Sequence, residues 1–155
     1  MTGKLEHSVE YYVEKTFKDL FKVVFKGFRQ KIALRSFVAM DDTSKLPDVI
    51  YPALEFAAEP YLEQTDGCGF GSVQITLAIR THVDDDPVGS MCDSICATAL
   101  ANVDFEALVE NVDSTKIILK GLVKVKQAGI AFDADTSTRE KTVTYSVHLA
   151  SLQKA

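Results

Sequence analysis

The clearest pattern in the chain runs from Phe70 to Leu100. Val73, Ile75, Leu77, Ile79, Thr81 and Val83 share one parity, and Gln74, Thr76, Ala78, Arg80 and His82 share the other. This is the two-residue period of a strand with one buried face. Asp84-Asp85-Asp86 and Pro87 follow, then Val88, Met91, Cys92, Ile95, Ala99 and Val103 at helical spacing. Acidic residues ahead of a proline suit a helix start, so strand, acidic cap and helix are predicted in succession. The outward side of that helix is then Ser90, Asp93, Ser94, Ala97 and Ala101. Small residues admit another backbone closely, which makes this side either the seat of a neighbouring subunit or plain exposed surface.

From Ser8 to about Arg29, Val9, Tyr12, Val13, Phe17, Leu20, Phe21, Val24 and Phe28 keep a 3.6-residue period, predicting an amphipathic helix. Lys15, Lys18, Lys22, Lys26 and Arg29 fall together on its opposite side. That cationic stripe is read either as a solvated face or as a docking surface for an acidic partner or neighbouring subunit. Ala33 to Met40 reads as a short strand, with continued helix as the alternative, and Asp41 to Asp48 as a loop. Val49 to Ala58 is apolar, and Pro52 assigns it to a sheet edge or a strand start. Gln64 to Gly69 is a polar, glycine-rich turn.

Asn102 to Asp113 is a loop or short helical turn whose Phe105, Leu108 and Val109 are expected to cap the core. In the β-prone run Ser114 to Phe132, Ile117, Leu119, Val123 and Val125 are expected on one face and Lys120, Lys124 and Lys126 on the other. A parity switch at Gln127-Ala128-Gly129 predicts a bulge or bend. After a turn from Asp133 to Thr138, a last strand from Arg139 to Leu152 is expected to bury Val143, Tyr145, Val147 and Leu149. The predicted fold is α+β: a single domain over residues 1–155, with a mostly antiparallel or mixed sheet, an N-terminal helix and a second helix packed on one face.

Composition fits that reading, since 46% hydrophobic and 25% charged residues are globular averages. No apolar run approaches the roughly eighteen residues of a membrane span, and Met1 to His7 carries no signal-peptide core, so a cytosolic protein without membrane contact is expected. Charge is unevenly spread. Up to Lys31 there are seven Lys/Arg against four Asp/Glu, a net +3, which leaves ten against eighteen, a net −8, for the rest. An acidic body does not suit a dedicated nucleic-acid binder but suits a protein that must lie near DNA without adhering to it.

The chemical motifs are weak. Cys68, Cys92 and Cys96 are an odd number, which argues against a disulfide framework. Cys92 and Cys96, with His82 and His148, lack the paired ligand spacing of zinc sites and read as small apolar helix residues. Gly67-Cys68-Gly69-Phe70-Gly71 is followed by a strand, whereas a dinucleotide loop needs a helix there. Asp84 to Asp86 read as helix capping rather than a cation site. Asp133-Ala134-Asp135-Thr136 imitates the first motif of haloacid-dehalogenase-type phosphatases, with Asp133 as nucleophile and Asp135 as general acid, but only twenty-two residues follow Asp133. No catalytic, cofactor-binding or metal residue is assigned.

The amphipathic first helix, Tyr51 to Pro60 (YPALEFAAEP), Val73 to Leu100 (VQITLAIRTHVDDDPVGSMCDSICATAL) and Ser137 to Ser151 (STREKTVTYSVHLAS) together resemble the tail terminator, or tail-to-head joining, proteins of long-tailed bacteriophages. The likeness spans roughly Val9 to Leu152 and is one of pattern. It implies a non-enzymatic virion component, assembled in the host cytoplasm as a ring, in this family a hexamer. Such a ring stops tail-tube polymerisation, contacts the tail tube protein and the neck or head-completion protein, and lets DNA pass through its lumen without specific binding. Each copy would use two different patches, for which the candidates are Lys15, Lys18, Lys22, Lys26 and Arg29 on the first helix and Ser90, Ser94, Ala97 and Ala101 on the second. The alternatives are another neck, head-completion or tail-tube ring protein, or a small hydrolase using Asp133 and Asp135.

Overall fold

The structure, a computed structural model, describes residues 7–28, 31–39, 52–63, 70–85 and 88–151. Three helices, α1 (Val9–Val24), α2 (Val88–Ala101) and α3 (Phe105–Asn111), pack on a mixed seven-stranded sheet. The strands are β1 (Ala33–Ser36), β2 (Ala53–Ala58), β3 (Leu62–Glu63), β4 (Phe70–His82), β5 (Ile117–Gln127), β6 (Ala131–Asp133) and β7 (Thr138–Ser151). Their order is β1-β2-β4-β7-β5, with β3 on β4 and β6 on β7. All pairs are antiparallel except β1 with β2. This is the single-domain α+β fold that the pattern predicts.

Strand β4 behaves as its alternation requires. Val73, Ile75, Leu77, Ile79 and Thr81 are all buried, and β7 answers with Val143, Tyr145, Val147 and Leu149. The two strands pair over thirteen positions, from Phe70 opposite Ala150 to His82 opposite Thr138. Pro52 immediately precedes β2, so its missing N–H costs no ladder bond, and its carbonyl accepts from Ala33 N at 3.0 Å. The opposite face of the sheet carries polar and small residues at its middle, with Leu62, Phe70, Ile118 and Val123 exposed on it elsewhere. Across it Glu55 links Arg35 (3.1 Å) and Arg80 (2.9 Å), and Arg80 reaches Glu140, joining β1, β2, β4 and β7.

Helix α1 starts where Ser8 Oγ accepts from Tyr11 N (3.2 Å), a side-chain N-cap. It ends at Val24 rather than near Arg29, and Phe25 to Gly27 form a turn. Its buried arc is wider than the apolar stripe. Glu14 is fully buried and Lys18 is 5% exposed. Glu14 Oε1 accepts from the N–H groups of Phe37 (2.9 Å), Val38 (2.8 Å) and Ala39 (3.0 Å), and Oε2 from Ala58 N (2.9 Å). The bend after β1 thus folds over this side of α1, and Lys18 Nζ donates to Ser36 Oγ beneath it at 3.5 Å. The same bend ends β1 at Ser36, short of the predicted Met40, which lies outside the described residues.

Two expectations of facing are corrected. Along β5, Ile117 and Leu119 are buried but Val123 and Val125 are 53% and 51% exposed. Register shifts between Leu119 and Gly121 and between Lys124 and Lys126 explain this: each inserts a residue, and the first exchanges inward and outward parity. Leu122 therefore stands opposite buried Val147, and Val123 opposite Ser146. The predicted break at Gln127 to Gly129 is present, separating β5 from β6, with Ala128 N donating to Thr142 O at 2.9 Å. In α3, Leu108 is buried as expected but Val109 is 41% exposed. The loop at 41–48, the turn at 64–69, Tyr51, Cys68, Asp86, Pro87 and Leu152 lie outside the described residues.

Glu14→Ala would strand four N–H groups, that of Ala39 buried and the other three partly buried. At roughly 1–3 kcal/mol per unsatisfied group, partly relieved by relaxation, a loss of at least about 3 kcal/mol is expected. In a thermal melt followed by circular dichroism this is a Tm lower by roughly 6–12 °C.

Candidate interface grooves

Helix α2 is turned by about one residue step, ~100°, from its predicted setting. Cys92, Cys96 and Leu100 face the core, as does Asp93, while Met91 (60%) and Ile95 (44%) are exposed. The helix is apolar nearly all round, so period alone does not set its rotation, and tertiary contacts do. At its C-terminal end Tyr145 Oη donates to Leu100 O (2.6 Å) and Lys124 Nζ to Ala101 O (3.2 Å). These donors satisfy carbonyls that the helix end leaves open.

Ser94, Ala97 and Ala101 of the predicted small-residue face come together with Thr98 along one wall of a groove of about 550 Å³. Gln127, Ala128 and Gly129, at the break between β5 and β6, form the other wall, and Lys124 and Lys141 bring positive charge to it. Ser94 is exposed, Ala97 and Ala101 are half-buried, and the side chain of Ser90 lies outside the described residues. Asp93, predicted to point outward, is 3% exposed, its Oδ2 3.9 Å from Lys141 Nζ. Burial holds its pKa above the usual carboxylate range, and Lys141 and Arg139 offset this only in part.

The cationic stripe of α1 is divided. Lys22 and Lys26 are exposed and, with Lys31, rim a second groove of about 330 Å³. Its apolar lining includes Phe21, Phe25 and Phe28, with ring centroids 5.7 Å apart for each successive pair. Lys15 is exposed and engaged by Asp19 at 2.9 Å. Lys18 is buried, contrary to its predicted place on the stripe, because the 37–39 bend covers that side. Arg29 lies outside the described residues. Neither groove was legible as such: the period marks faces of helices, whereas the first groove also needs the chain leaving α1 to fold back through Lys31 to Leu34, and the second needs strands from a distant part of the chain. Glu14 left a faint signal, a carboxylate bordering an aromatic stripe one turn before Lys18.

The motif residues are placed as follows. Asp133, the last residue of β6, and Asp135, in the turn between β6 and β7, are exposed, and Asp133 Oδ1 accepts from Asp135 N at 3.0 Å. Cys92 and Cys96 are buried with sulfurs 3.9 Å apart, and the hydrogen bond between them and burial push the Cys96 thiol up. His148 is exposed on the sheet face away from the helices. Among the described residues no three His, Cys, Asp or Glu side chains gather as a metal-holding group, and no helix is long and apolar enough to cross a membrane. No protein-family model matches the chain, and no curated protein matches it.

A folded-state pKa above the unfolded one means that the native chain binds the proton more readily. The contribution of Asp93 to stability is therefore complete below the ordinary value of about 3.9 and is lost as pH rises through its raised folded value. Asp93→Asn is expected to melt at or above the wild-type temperature at pH 7, with the difference vanishing toward pH 4. A lower Tm at pH 7 would mean that the contact with Lys141 outweighs the cost of burial.

Proposed function

We propose that the protein is a structural virion component, a tail terminator that closes the tail tube as a ring and joins the tail to the neck or head. One observation carries the reading: two unlike grooves sit at opposite edges of one sheet. The Phe21–Phe28 groove lies beside β1, and the Ser94–Ala101 groove lies beside β5 and β6. A ring of head-to-tail copies requires a different surface on each side of each copy, and each groove offers a hole for a projection of a neighbour.

Several exposed apolar side chains lie at the same two edges. Val23, Val24, Phe37 and Val38 lie on the β1 side, and Val123, Val125, Ile130 and Phe132 on the β5–β6 side. Apolar edge strands are templates for association with another chain, and contiguous exposed apolar surface marks an interface. The net −8 of the chain beyond Lys31 supports a lumen that repels DNA and leaves it mobile.

The test is mass in solution by light scattering, with negative-stain imaging. The expected result is a closed ring for the wild type. Ala97→Glu places a long charged side chain in the α2 groove and should yield a folded monomer with an unchanged circular dichroism spectrum. A wild-type chain that stays monomeric at high concentration and in the presence of tail-tube and neck proteins would overturn the reading.

A further inference from the structure

Both grooves are rimmed by lysines, Lys22, Lys26 and Lys31 on one and Lys124 and Lys141 on the other. Groove cannot meet groove without bringing like charges together, which costs several kcal/mol. The complement of either must be an acidic projection, and an apolar one for the aromatic groove. One surface element has both properties at the far edge of the sheet: the end of β6 with the turn after it, where Phe132 is 61% exposed and Asp133 and Asp135 follow it.

Resting on the ring reading above, we propose that the Phe132-Asp133-Ala134-Asp135 segment of one copy, the end of β6 and the start of its turn, docks into the Phe21–Phe25–Phe28 groove of the next. The Phe132 ring enters the aromatic floor, whose 330 Å³ accommodates one such side chain. Offset or edge-on packing against Phe25 and Phe28 follows from ring quadrupoles. Asp133 and Asp135 meet Lys22, Lys26 and Lys31. Lys22 is held only loosely, 3.8 Å from Asp19, and neither Lys26 nor Lys31 has a carboxylate partner among the described residues. An exposed aromatic anchor ringed by charge pairs is the composition expected of an interface hot spot. The contact is heterologous, knob on one edge and hole on the other, so it propagates from copy to copy. It also gives the phosphatase-like letters at Asp133 and Asp135 a role as surface charge.

A charge exchange tests it. In the first variant, Lys22→Glu with Lys26→Glu, the groove turns acidic. In the second, Asp133→Asn, Ala134→Lys and Asp135→Lys turn the knob basic, and Asn keeps the side-chain oxygen that accepts from residue 135. All five positions are exposed, and circular dichroism checks that both variants fold. Each alone should associate roughly a hundredfold more weakly than wild type, read by analytical ultracentrifugation. Mixed, they should re-associate, because the acidic knob of the first fits the unaltered groove of the second, and the basic knob of the second fits the acidic groove of the first.

Variants that each assemble like wild type would overturn the knob-in-groove contact and leave the ring reading intact; the groove would then belong to a different partner. Variants that stay apart when mixed would likewise overturn the pairing. A wild type that never assembles would overturn both.

Discussion

The carboxylate of Glu14 is the junction on which the helix layer is hung. An ionised carboxylate taken out of water without partners costs far more than a small domain can spare, and four backbone N–H donors around Glu14 turn that liability into an anchor. Its reach depends on the parallel pairing of β1 and β2. Parallel neighbours finish at the same end of the sheet, so Phe37–Ala39 leaving β1 and Ala58 closing β2 present their N–H groups to one side chain. Antiparallel neighbours would have finished at opposite ends. Fixing α1 there also fixes where its last turn lies over β1, and hence where Phe25, Phe28 and the lysine rim meet.

The legible part of the fold was the part governed by a single strong period. Strand β4 buries one parity along its length and β7 does so from Val143 to Leu149, because both lie inside the sheet with helices on that side. Pattern failed where something other than period decides. Of two added residues in β5 the first reverses parity and the second restores it, without any Gly-Pro punctuation strong enough to place both. An almost uniformly apolar α2 leaves its rotation to Tyr145, Lys124 and the burial of Asp93. Lys18 falls by period on the outward cationic stripe, solvated or docking, and a segment eighteen residues later covers it. The candidate surfaces were half legible for the same reason: Lys22, Lys26, Ser94, Ala97 and Ala101 were named from their helix faces, but the walls opposite them come from Lys31 and from Gln127 to Gly129.

The uncovered face of the sheet shapes how copies can meet. Thr76 and Thr144 pair across it at 3.1 Å, and the Arg35–Glu55–Arg80–Glu140 series spends its charges within the face. The middle of that face is satisfied by these contacts, while Leu62, Phe70 and Ile118 stand exposed on it toward the other end of β4. Further large apolar side chains are exposed at the flanks, at Phe37 and Val38 on one and Ile130 and Phe132 on the other. Lateral contact is one direction in which burial would be rewarded.

The place of β7 has a consequence for the order of events during folding. The last strand along the described chain is an interior one, flanked by β4 on one side and by β5 and β6 on the other. Until residues 138–151 have been synthesised, β4 and β5 have no common neighbour and each shows a bare ladder of N–H and C=O groups. The pairing of Phe70 with Ala150 closes one of the longest loops in the molecule, and such closures are slow. The sheet is therefore zipped shut by its latest segment, and the interval before that moment is when the nascent chain is most exposed to pairing with the wrong strand.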